Sequence, residues 1–134
     1  MSRTNEAVVR ANSAAFSRRD EDGMLEFYAP DAVVIDRRAV GWGEFRGHDA
    51  LRSYYQGLFD NADELHEELE VVSDEDGLVI ASCRLTARLA GQPDAPPMAF
   101  EYALRMTFDD GLVRSMEIYE DAAAAARGAQ PDPS

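Results

Sequence analysis

An aspartate at the end of an apolar run is the first residue in this chain whose type and place suggest chemistry. Asp36 follows Ala32-Val33-Val34-Ile35. A carboxyl group among aliphatic neighbours has its pKa moved toward neutrality, where it can serve as a general base. The competing reading is an aspartate that pairs with Arg37 or Arg38, or that supports the loop behind it. Glu120 is a second carboxylate, in phase with Met116 and Ile118, and two carboxylates in different surroundings can divide acid and base work. Trp42 stands between Gly41 and Gly43, as a lid over a pocket, as an apolar plug for the domain's end or as a dimer contact.

The other reactive side chains exclude more than they offer. His48, His66 and the single Cys83 have no metal-ligand spacing, so neither a metal nor a cofactor is expected. All 13 basic residues are arginine. A lysine Schiff base, a lysine general base and a phosphate-loop lysine are therefore excluded. One cysteine also rules out an intrachain disulfide framework. The formal net charge is −13, and the arginines are scattered. Nucleic acid and anionic membranes demand a clustered basic surface, so neither is an expected partner. The first 20 residues carry charges throughout and contain no signal-like apolar run. The expected compartment is the cytoplasm. Heavy use of Ala, Arg, Asp and Gly without lysine suggests a GC-rich bacterial genome.

The elements that must position these residues can be read from periodicity. A chain of 134 residues fits one domain. Thr4 or Asn5 can cap a first helix to about Arg18, with Val8, Asn12, Ala15 and Phe16 on one face. Asp20 can cap a short second helix that Pro30 stops, and a third runs from about Asp49 to Phe59. Ala32 to Arg37 reads as a strand, and Arg38 to Gly47, with three glycines, as a loop. Four longer strands follow: Leu65 to Ser73, Leu78 to Ala90, Met98 to Phe108 and Leu112 to Glu120. Asp74-Glu75-Asp76-Gly77 and Asp109-Asp110-Gly111 have hairpin-turn chemistry. Helices followed by long strands predict an α+β fold. Such strands coil, leaving a pocket that the helices close. The pocket lining expected from alternation is Phe16, Tyr54, Cys83, Leu85, Ala87, Tyr102, Leu104, Met106, Met116 and Ile118, with Asp36 among them and Trp42 as the possible lid. Aromatic rings and methionines suit a flat hydrophobic small molecule.

Phe27-Tyr28-Ala29-Pro30-Asp31-Ala32-Val33-Val34-Ile35-Asp36, then Phe45-Arg46-Gly47-His48-Asp49-Ala50-Leu51, and later Phe108-Asp109-Asp110-Gly111-Leu112-Val113 resemble the nuclear transport factor 2-like superfamily. Its small bacterial members include SnoaL-like polyketide cyclases and ketosteroid isomerases. The resemblance implies a cone-shaped fold, with three N-terminal helices packed on a strongly curved antiparallel sheet around a pocket. It implies a SnoaL-like domain over residues 1–121, leaving 122–134 as an Ala/Pro-rich tail expected to fray. It also implies a homodimer built on the outer sheet face, where Arg84, Arg88, Arg105, Glu101 and Glu117 are expected. In ketosteroid isomerases the base stands where Asp36 falls. Their two enolate donors fall at Asn12, which can still donate, and at Leu104, which cannot. The function expected is cofactor-independent proton transfer, as isomerisation, cyclisation or dehydration, on a hydrophobic carbonyl compound. The alternative is a non-catalytic ligand-binding or dimerisation module of the same fold.

Overall fold

The computed structural model describes residues 4–39, 41 and 43–128. Along the chain lie α1 (Asn5–Ser17), α2 (Glu21–Leu25), β1 (Tyr28–Asp36), β2 (Glu44–Arg46), α3 (His48–Asp60), β3 (Ala62–Glu75), β4 (Leu78–Leu89), β5 (Met98–Asp109), β6 (Leu112–Tyr119) and α4 (Ala122–Arg127). The six strands form one curved sheet in the order β2-β1-β6-β5-β4-β3.

Local chemistry sets most of these boundaries. The Thr4 side chain accepts from the Ala7 N–H at the start of α1, and Asp20 does the same for Gly23 at α2. Both long hairpins turn on Asp-Gly pairs in the left-handed region. Asp76 and Gly77 have φ of 56° and 77°, and Asp110 and Gly111 have 51° and 78°. That twist matches the right-handed twist of the flanking strands.

The architecture departs from expectation in four places. The described residues form four helices rather than three, because the alanine run folds into α4. Asp121 caps it, and Ala125 is fully buried against Ile80, Ala103 and Tyr119 on the convex face. Arg105 Nη1 donates to the Ala125 carbonyl at 2.9 Å and to the Ala126 carbonyl at 3.2 Å. Small side chains let this helix lie close to the sheet, so composition that reads as tail is packed structure; residues 129–134 lie outside the described residues. Strand β2 falls in the stretch expected as loop, since three residues between glycines carry no period. β1 runs parallel to β6, so the sheet is mixed rather than antiparallel. β1 also begins earlier than read, at Tyr28. Pro30 lies where the β1–β6 register shifts, between Tyr28 and Val33, as befits a residue that cannot donate to the ladder.

The core fills the space between α1, α2, α3 and the concave face. Tyr28, Met24, Leu51 and Met106 are its largest fully buried side chains. On the convex side, the charges expected to bridge two copies pair within the chain. Arg84 lies 3.2 Å from Glu101, Arg88 lies 3.5 Å from Glu64, and Arg105 lies 3.8 Å from Glu117. No helix among the described residues is long and apolar enough to cross a membrane.

Candidate functional site

A cavity of about 600 Å³ opens between the helices and the concave face. Each wall follows from a phase set by the sequence. α1 turns Asn12 and Phe16 inward, one turn apart, and α3 supplies Tyr54, Tyr55 and Leu58. Strands β4, β5 and β6 contribute Leu85, Phe100, Tyr102, Leu104, Met116 and Ile118 at alternate positions. Met24, Arg38, Ala39, Glu67 and Glu120 complete the lining.

Of the residues expected here, Asn12, Phe16, Tyr54, Leu85, Tyr102, Leu104, Met116, Ile118 and Glu120 are brought together. Met106, Cys83 and Ala87 are not. Met106 is 1% exposed and belongs to the core beneath the cavity, and Cys83 and Ala87 are buried in the sheet. Burial pushes the Cys83 thiol well up, so it is no nucleophile at neutral pH. Trp42, the expected lid, lies outside the described residues.

The largest correction concerns Asp36. Its side chain is 1% exposed, and it is absent from the cavity wall. The carboxylate accepts from Arg38 Nε at 2.9 Å, from Arg38 Nη2 at 2.8 Å and from the Arg38 backbone N–H at 3.1 Å. Arg38 is the one that reaches the cavity, with its guanidinium carbon 5.7 Å from the Tyr102 ring centroid. Strand period places Asp36 next to Ile118 of β6; the arginine two residues on turns back and covers it.

Glu67, which the sequence analysis does not single out, lines the cavity together with Glu120 and is the buried carboxylate of the two. It sits on β3 opposite Leu85. Two serines one turn apart on α1 hold it. Ser13 Oγ donates to its carboxylate at 2.7 Å, and Ser17 Oγ accepts from its backbone N–H at 2.9 Å. The Tyr102 hydroxyl also donates to the carboxylate. Burial raises the Glu67 pKa, and the two hydroxyl donors oppose that rise without cancelling it. A signal existed: the alternation that turns Leu65 and Leu69 inward turns Glu67 inward as well.

Two tyrosine arrangements flank this group. Tyr28 and Tyr55 share a hydrogen bond of 2.8 Å, and the Tyr28 hydroxyl donates to Asn12 Oδ1 at 3.4 Å. Asn12 Nδ2 in turn donates to the Met24 carbonyl at 3.3 Å. Asn12 is thereby tied into the protein's own network. The Tyr54 hydroxyl has no hydrogen-bond partner among the described residues, and burial pushes its pKa up to about 12. It remains a neutral donor across the working pH range. Glu120 lines the rim and accepts from the Ala39 N–H at 3.1 Å, tying the loop after β1 to the end of β6. Among the described residues no group of three histidine, cysteine or acidic side chains gathers as metal ligands.

The arrangement is a hydrophobic chamber holding one carboxyl of raised pKa, one free phenol and one guanidinium. It can bind a flat apolar molecule, donate hydrogen bonds to its oxygens and exchange a proton with it. Comparison with known proteins bears on the fold. A family model described as SnoaL-like domain matches residues 9–116. Among solved structures, the chain is similar to a protein provisionally described as a SnoaL-like polyketide cyclase from Jannaschia sp. CCS1, with a TM-score of 0.73 and 20% identity over 95% of this chain and 93% of that one. It is similar to TerC, co-crystallised with polyporic acid, with a TM-score of 0.72 and 17% identity over 92% of this chain and 95% of that one. A protein of ketosteroid isomerase-like fold from Catenulispora acidiphila DSM 44928, in complex with trimethylamine, gives a TM-score of 0.74 and 17% identity over 92% of this chain and 93% of that one. At these identities the likeness establishes the fold. No curated protein matches the chain.

Proposed function

The chain belongs to the SnoaL-like domain family, and on that premise we propose that it binds a hydrophobic carbonyl compound and moves a proton within it, with Glu67 as the base. The observation that carries this reading is a carboxyl of raised pKa facing a chamber walled by aromatic and aliphatic side chains. Abstraction of a proton next to a carbonyl needs a base poised nearer neutrality than a free glutamate, and a donor for the oxygen that gains charge. Glu67 meets the first need, and the unpartnered Tyr54 hydroxyl meets the second. The proton taken from carbon goes to the Glu67 carboxylate. Its return to another carbon gives an isomerisation; its delivery to the alkoxide formed when the carbanion bonds to a second carbonyl carbon of the same molecule gives a cyclisation; its delivery to a departing hydroxyl, released as water, gives a dehydration.

A probe with acidic C–H bonds tests this without knowledge of the natural substrate. 2-Tetralone, a flat bicyclic ketone, is expected to exchange its α-hydrogens for deuterium faster with the protein present, as read by NMR. Exchange at the buffer rate, at probe concentrations that fill the cavity, speaks against the enzyme.

A second reading is a ligand-binding module without catalysis. It is favoured by the partners both carboxylates already have: Asp36 is held by Arg38, and Glu67 by Ser13 and Tyr102. Under that reading 2-tetralone binds and does not exchange.

A further inference from the structure

We propose that Arg38 determines ligand specificity, and that it selects flat apolar molecules carrying an anionic pair of oxygens: a carboxylate, or the ionised form of a 1,3-dicarbonyl. The assignment rests on the cavity as the ligand site and not on Glu67 as its base.

Arg38 is the one cation among the described residues that line the cavity. Its guanidinium is fixed rather than mobile. Asp36 takes the Nε hydrogen and one Nη2 hydrogen, and the Tyr102 ring lies 5.7 Å below the guanidinium carbon. Five N–H donors in a planar fork, less those two, leave the outer edge formed by Nη1 and Nη2. Nη1 has no partner among the described residues. That outer edge presents parallel N–H groups at the spacing of two oxygens sharing one negative charge. A single carbonyl oxygen would use half of it. The arginine side chain is 27% exposed, while that of Asp36 is 1% exposed. The pair is therefore ordered with the carboxylate inside and the guanidinium toward the ligand space. Asp36 is in this sense a positioning residue: it sets the orientation of the fork and stays off the cavity wall.

Tyr102 links this anchor to the rest of the site. Its ring carries the guanidinium, and its hydroxyl bonds to Glu67. The anchor and the raised carboxyl are thus separated by about one aromatic ring. A molecule held at Arg38 by its acidic edge lays its apolar body along Leu85, Phe100 and Leu104. It must also keep its charge away from Glu67. This excludes ligands with an acid at each end, and it matches a chain of net charge −13 with one cation among the described residues of the cavity wall.

The test compares 2-naphthoate with its neutral isostere 2-naphthamide, and adds benzoylacetone titrated through its own ionisation. Calorimetry on the full chain is expected to show naphthoate bound about tenfold or more tightly than the amide, the ratio a charge-assisted pair confers. Benzoylacetone is expected to bind more tightly once ionised. Arg38→Gln alone strands a buried carboxylate, so the double variant Asp36→Asn/Arg38→Gln is measured beside it. In the double variant the preference for naphthoate should vanish while naphthamide still binds. Glu67→Gln should keep the preference, which separates this assignment from the proton-transfer reading. Equal affinity for acid and amide in the wild-type chain would overturn the proposal, as would a preference that survives the double variant.

Discussion

Glu67→Gln is expected to lower proton-transfer turnover by about 10²- to 10⁴-fold, the usual contribution of a positioned general base, and to make the protein more stable at neutral pH. Ser13 and Tyr102 bond different oxygens of Glu67; the carbonyl oxygen of glutamine can accept from one of them while its amide donates to the hydroxyl oxygen of the other, so the local shape is kept while the base is lost. The stability half follows from the sign of the shift. The Glu67 carboxyl holds its proton to higher pH in the folded chain than the ordinary value of 4.5. Below that value both states are protonated here, and the protonated carboxyl contributes fully to stability. As pH rises through the folded value, the folded state must bury a charge, and that contribution is lost. The stability gain of Glu67→Gln should therefore be smallest in acid, grow as pH rises from 4.5 through the folded pKa, and level off above it. Denaturant titrations of both proteins across pH check this. A variant that is inactive and also less stable at neutral pH would mark Glu67 as a structural residue.

Leu51→Ala should cost about 2–5 kcal/mol, the range for a leucine truncated in a packed core, and lower the melting temperature by about 10 °C for a domain of this size. Leu51 is 0% exposed and anchors α3 to the core. One turn later the same helix delivers Tyr54 and Tyr55 to the cavity. The deletion therefore loosens the wall that holds the free phenol, and naphthamide affinity should fall along with stability. A melting temperature within 2 °C of wild type, far less than that truncation costs, would show that α3 is not seated on the core as described.

Much of this fold was legible from local chemistry. The Asp-Gly turns fixed two hairpins, and alternation placed Leu104, Met116 and Ile118 on the cavity wall. What stayed hidden had physical reasons. The parallel β1–β6 pairing joins segments some 80 residues apart, and no local pattern encodes it. The alanines of α4 bury so little each that their helix reads as a tail. Glu67 sits in an acidic stretch, Glu64 to Glu70, where charge suggests solvent while strand phase points inward. Phase decided the matter, because Ser13 and Tyr102 satisfy the carboxylate there. Asp36 shows the reverse: its phase favours the interior, and Arg38 two residues on neutralises it before it reaches the cavity. A neighbouring opposite charge is as informative as an apolar run when a catalytic carboxylate is sought.

The most direct measurement is the titration of the Glu67 carboxyl by carbon-detected NMR, assigned by its loss in Glu67→Gln. The expected midpoint lies clearly above 4.5, and the rate of 2-tetralone exchange is expected to rise with pH through that same midpoint. A Glu67 midpoint at or below 4.5, or an exchange rate indifferent to it, would contradict the claim that this buried carboxyl is the base.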